Sequence, residues 1–176
     1  MSIEIYLSNL GKHTEGRPEG TWVNLPVPID KLDRVLAEIG IDEHYEEYFI
    51  TDCETSFSGM REAIGEFTSL AALNELAEMV DGLSKDREEV FAAVMEAESC
   101  GSIEEIKEII GQLDDFDLLQ GVDDDAALGA VYADEYGCID IPDHLRNYFD
   151  YAAFGRDIRM DLNITYTTFG CLVDNR

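Results

Sequence analysis

Residues 114–125 read DDFDLLQGVDDD, six aspartates in twelve positions with no lysine or arginine among them. Carboxylates at this density could hold a cation, keep the chain soluble, or imitate another polyanion. A calcium loop of the EF-hand type needs oxygen ligands at alternate positions, a glycine at the sixth and a glutamate at the twelfth. Counted from Asp115, the fifth position is Leu119, the sixth Gln120 and the twelfth Ala126, so the loop fails. Counted from Asp114 it fails sooner, at Phe116. Carboxylate pairs could also serve acid–base catalysis, but among 39 acids such pairs arise by chance. His13, His44 and His144 are far apart, and Cys53, Cys100, Cys138 and Cys171 make no C-x-x-C pair. The NLGKHTEG segment places His13 where a phosphate-binding loop needs Ser or Thr. These residues support no catalytic centre, cofactor site or metal site, and the expectation is a protein that is not an enzyme.

The elements that must position the acids follow from periodicity. IEIYL (3–7) and TWVNL (21–25) alternate like strands, with Trp22 read as core, and EYFITDC (47–53) is a third strand. Asp30 is the expected N-cap of a helix through Ile39 that Gly40 ends. Between Ser69 and Gly111 the period becomes helical: Leu70, Leu73, Leu76, Ala77 and Val80 form one stripe, and Val90, Phe91, Val94 and Met95 another. Ser102 and Glu105 make a capping box for the next helix. A helix over about 124–136 closed by Gly137 follows, then one opened by Pro142 with Leu145, Tyr148 and Phe149 inward, then a hairpin over 162–173. The outer faces of the central helices carry acid three or four residues apart, an arrangement that costs a few tenths of a kcal/mol per pair.

The charge is uneven. The net is −27, yet residues 1–29 hold three acids against two bases and residues 136–176 six against four. The 106 residues between hold thirty acids and six bases. Salt adaptation would spread acid over every surface; here it is concentrated. Such a surface disfavours nucleic acid and anionic membranes as partners and favours cationic ones. The N-terminal stretch has no basic-then-apolar leader and no apolar run nears the ~20 residues that span a bilayer. The expectation is a cytoplasmic chain with reduced, mostly buried cysteines.

IYLSNLGKHTEGRPEGTWVNLP (5–26) resembles the opening of the ArdA family of antirestriction proteins, and EHYEEYFITDCE (43–54) and LNELAEMV (73–80) continue the likeness. The most specific match is YGCIDIPDHLRNYFDYAAFGRDI (136–158). The resemblance implies an α+β chain of three small domains in an elongated row: an N-terminal domain of helix and antiparallel strands over 1–61, an acidic helical domain over 62–111, and a C-terminal α+β domain over 112–176 that forms a homodimer. It implies a mimic of bent B-form DNA that occupies the DNA groove of type I restriction–modification enzymes, at the methyltransferase core and specificity subunit, and blocks restriction and modification. Glu88, Glu89, Glu104, Glu105, Glu108, Asp114, Asp115, Asp117, Asp123, Asp124 and Asp125 would then be the phosphate surrogates. Tyr148, Tyr151 and Phe154 would belong to the structural and dimer-forming region. In the family motif Gly155 and Arg156 would determine the fold, with Arg156 anchoring a buried carboxylate.

Magnitudes agree with the family reading. Duplex DNA carries one charge per ~1.7 Å, so the 78 (2 × 39) carboxylates of a dimer match roughly 130 Å of duplex. A compact globule of this length has a radius of gyration of only ~16 Å, and an elongated dimer suits the charge better. The rival readings are an acidic calcium-binding protein and a salt-adapted protein without mimicry.

Overall fold

Ile3–Asn9 (β1) alternates apolar and polar residues, and Ile3, Ile5 and Leu7 are buried, as a half-covered strand requires. In this computed structural model, which describes residues 3–176, β1 is the centre of an antiparallel sheet, flanked by β2 (Gly20–Leu25) and β3 (Tyr48–Thr55). Trp22 is not core. It is 44% exposed, because the pleat that buries Val23 and Leu25 turns it to the other face.

A short helix, α1 (Leu10–Thr14), follows β1 directly. Its cap, Asn9, is fully buried and fully used: Oδ1 accepts from Lys12 N–H at 3.0 Å, and Nδ2 donates to the carbonyls of Ile39 (3.2 Å) and Gly40 (2.8 Å). The Asn-Leu-Gly-Lys segment is therefore a structural clamp. α2 (Ile29–Glu38) is capped by Pro28 rather than Asp30, which lies in its first turn and pairs with Arg34. It ends in a Schellman arrangement: Gly40 N–H reaches Ala37 and Ile41 N–H reaches Leu36, with Gly40 at φ +79°.

α3 (Met60–Ala63) and α4 (Leu70–Asp81) follow, and Ser69 caps α4 by accepting from Ala72 N–H. The expected stripe of α4 is buried, and with it Asn74, which accepts from Val27 N–H at 2.8 Å and donates to Glu78 at 3.0 Å. α5 is Lys85–Ala97 and α6 is Ile103–Gly111. A 3-10 turn (Leu113–Asp115) then leads into β4 (Phe116–Leu119), a strand inside the aspartate stretch that is too short to show a period. α7 (Asp125–Ala130) continues in a wider turn through Val131–Glu135, and Gly137 takes φ +64° just beyond.

Pro142 opens a 3-10 turn (Asp143–Tyr148), not an α-helix, and its apolar residues do not point inward: Leu145 is 46% and Tyr148 85% exposed. α8 (Tyr151–Asp161) leads to the expected hairpin, β5 (Asn163–Thr167) and β6 (Gly170–Asp174). β6 is central in the antiparallel order β4-β6-β5, and its buried run Gly170–Val173 reflects cover on both faces.

The fold is α+β, built on these two antiparallel sheets. The chain forms two compact units, one running up to Ser84 together with Glu98–Gly111, the other Lys85–Ala97 together with Gln112–Arg176. α5 thus joins the second sheet, touching all three of its strands, and Phe91 to Met95 are buried without a break. Among the described residues no helix is long and apolar enough to cross a membrane. Cys53, Cys100 and Cys171 are buried, Cys138 is exposed, and all four are free.

Candidate functional site

The acids singled out by sequence fall in both units. In the first unit α6 buries Ile103, Ile106, Ile109 and Ile110 and turns Glu104, Glu105 and Glu108 to solvent. Glu105 is engaged locally: its N–H donates to Ser102 Oγ (3.3 Å), and its carboxylate accepts from Gly101 N–H (2.8 Å) rather than from Ser102. Glu104 and Glu108 have no ion pair or hydrogen bond to their side chains among the described residues. They are four apart, hence neighbours on the helix surface, and repel each other.

In the second unit the six aspartates do different things. Asp114 pairs with Arg87 of α5. Asp117 projects from β4 and accepts from Asn175 Nδ2 at 2.9 Å. Asp124 caps α7 by accepting from Ala127 N–H at 2.7 Å. Asp125 is half-buried and holds three donors: Arg159 Nε at 2.7 Å, Arg159 Nη2 at 3.3 Å and the Tyr166 hydroxyl at 2.8 Å. The Arg159 guanidinium, then the Tyr166 hydroxyl, hold its carboxyl below the usual carboxylate range. Burial, reinforced by the same bond, pushes the Tyr166 phenol up. Asp115 and Asp123 are exposed, with no partner for their side chains among the described residues. Glu88 and Glu89 on α5 are half-buried, and Glu89 accepts from the Gln120 amide. The neighbouring Glu96 holds the hairpin turn, accepting from Thr168 N–H (2.9 Å) and its hydroxyl (2.5 Å).

The anchoring role expected of Arg156 belongs to Arg159. Arg156 is exposed, and its one ion pair among the described residues is a long one, to Asp157 at 4.0 Å. The difference follows from how α7 meets α8. A Cβ on Gly155 would lie 1.8 Å from the Asp125 carbonyl oxygen, and one on Gly129 would lie 2.0 Å from that of Tyr151. The two backbones touch there, so Gly155 faces α7, and Arg159, four residues on, lies on that same face. Asp125 and Gly129 share the corresponding spacing on α7. That pair of i, i+4 patterns was a signal available in the sequence.

The aromatic residues of the C-terminal motif divide likewise. Phe149 makes edge contacts with Tyr151 (4.9 Å) and Phe154 (5.5 Å). Tyr151 donates to Asp134 Oδ2 at 3.0 Å, and Asp134 also pairs with Arg146. Tyr148 projects into solvent. Exposed apolar side chains recur nearby in sequence, at Tyr136, Ile139, Leu145, Met160 and Leu162.

Among the described residues no three His, Cys, Asp or Glu side chains converge as a metal would require. What remains are carboxylates on both units, some tied down by donors of the chain itself and others with no partner among the described residues.

Compared with known proteins, residues 5–173 match the model of the family described as antirestriction protein (ArdA). No curated protein matches the chain closely enough to count as a relative. Because the family model spans nearly all 176 residues, from the first strand to the last, the chain belongs to the ArdA family of antirestriction proteins.

Proposed function

We propose that this antirestriction protein acts by DNA mimicry: its carboxylates stand where DNA phosphates would and occupy the DNA groove of a type I restriction–modification enzyme. The contact lies on the methyltransferase core and specificity subunit, and it blocks restriction and modification together. The observation that carries the reading is the set of exposed carboxylates with no partner among the described residues, Glu104, Glu108, Asp115 and Asp123, within a stretch that carries nearly all of the net charge. Keeping Glu104 and Glu108 side by side costs stability, a cost that a cationic partner would relieve. Glu88, Glu89 and Asp117 add further charge, whereas Asp114, Asp124, Asp125 and Glu105 serve the fold as well. The energy is spread over many weak charge pairs, so no single residue is decisive.

The acting species in this reading is a cytoplasmic homodimer joined through residues from about 136 onward. The exposed apolar side chains there support it, since aromatic and apolar residues are favoured at subunit interfaces. The charge of residues 136–176, six acids against four bases, lets two copies meet without large repulsion.

The test is the plating efficiency of unmodified phage on a host with a type I system, with and without the protein, paired with displacement of labelled DNA from the purified methyltransferase core. Mimicry requires restored plating and full displacement. Simultaneous binding of DNA and protein in one groove would refute it.

A further inference from the structure

The pleat that buries Ile3, Ile5, Val23 and Leu25 sends Glu4, Tyr6, Trp22 and Asn24 to the reverse face of the first sheet. Tyr6 and Trp22 are directly opposed across the β1–β2 pair, ring centroids 5.3 Å apart and planes at 72°. One pleat further along, Glu4 on β1 is directly opposed to Glu54 on β3. Like charges directly opposite destabilise a sheet. Neither carboxylate has an ion pair or hydrogen bond to its side chain among the described residues. Asp52, opposite Tyr6 on β3, is already engaged by Arg61 (2.7 Å) and by Cys53 N–H (2.8 Å). The face thus combines an exposed indole, a phenol ring and two uncompensated carboxylates at neighbouring strand positions.

We propose that this face docks an arginine side chain of a protein partner. An indole face attracts a cation through its quadrupole, and a planar guanidinium can lie on the ring while its N–H fork reaches carboxylates. A lysine ammonium is a compact, strongly hydrated point charge and cannot do both as well. Phosphate-bearing partners are repelled by Glu4 and Glu54, so nucleic acid and anionic lipid do not fit. The identity of the partner rests on the mimicry reading, because a DNA groove supplies exposed arginines; the chemistry of the face does not. A stacked arginine adds an orientation-dependent contact that carboxylates alone lack.

Trp22 is the single tryptophan of the chain, so labelling with 5-fluorotryptophan gives one fluorine resonance. That resonance is followed while the protein is titrated with an arginine–glycine repeat peptide, with a lysine–glycine peptide of equal charge, and with a type I methyltransferase core, DNA displacement being monitored in parallel. The expected result is a shift with the methyltransferase and with the arginine peptide, and a weaker response to the lysine peptide. Trp22→Leu should weaken methyltransferase binding about two- to five-fold. The Glu4→Gln/Glu54→Gln double variant, which keeps the reporter, should lose the preference for arginine. DNA displaced with the resonance unmoved would overturn the arginine site and leave mimicry standing. Without DNA displacement, mimicry fails and the peptides decide: a preferential arginine response supports the site, and equal or absent responses overturn it.

Discussion

Replacing Gly155 by alanine should be among the most damaging single-methyl additions to this protein. The added Cβ would lie 1.8 Å from the Asp125 carbonyl oxygen and 2.7 Å from Gly129 N, both backbone atoms that cannot rotate away. Ordinary contact begins near 3.4 Å, so α8 must retreat from α7 by roughly 1.6 Å (3.4 − 1.8). That retreat also stretches the Arg159–Asp125 pair, now at 2.7 Å, which ties the same helices together. Overpacking costs about 1–3 kcal/mol, and with backbone as the obstacle the cost belongs at the upper end, about 3 kcal/mol. For a chain of this length 1 kcal/mol corresponds to about 2–4 °C, so the melting temperature should fall by roughly 6–12 °C. Thermal unfolding followed by circular dichroism measures it, with Gly111→Ala as a control because nothing lies within 4 Å of its added carbon. Gly129→Ala should behave like Gly155→Ala. The double variant should cost less than the two singles together, since both force the same helices apart. A Gly155→Ala protein melting within about 2 °C of the parent would refute the close approach.

Asn9→Ala should cost about 1–3 kcal/mol in urea unfolding, because it orphans the Lys12 N–H and the Ile39 and Gly40 carbonyls around a buried site. Asp125, with a lowered folded pKa, contributes stability that is present above its unfolded value and lost as pH falls through the folded one. Asp125→Asn should therefore reduce stability at neutral pH and flatten the acid limb of a denaturation series. Burial pushes the Cys171 thiol up to about 11, so its contribution is present below the ordinary thiol value and is lost as pH rises through about 11. Thiol labelling of the folded protein at neutral pH should accordingly modify exposed Cys138 well before Cys171. Binding to a methyltransferase core should weaken with salt, but with a shallower slope than duplex DNA, because a folded protein condenses fewer counterions. A salt-independent affinity would remove the electrostatic basis. Sedimentation equilibrium at micromolar concentration should show a dimer, and Tyr148→Ser should shift it toward monomer.

Local patterns in the chain were enough to determine which side chains share a face. The alternation in Ile3–Asn9, the stripe from Leu70 to Val80, the Ser102 cap, Gly40 and the terminal hairpin all depend on neighbours within a few residues, and period and capping chemistry report those directly. The uneven charge and the family motifs were equally plain. What lies opposite a face is not local information. That α5 packs on three strands distant in sequence, with Phe91 to Met95 all buried, was settled only by the tertiary fold. That Trp22 faces outward depended on which side of the sheet received the helices. Among six aspartates of one type, tertiary contact alone made Asp124 a cap, Asp125 an anchor for Arg159 and Tyr166, and Asp123 a solvent-exposed charge. A carboxylate's role is set by the donors within ~3 Å of it, and donors brought from 34 and 41 residues away are assembled only when the chain folds.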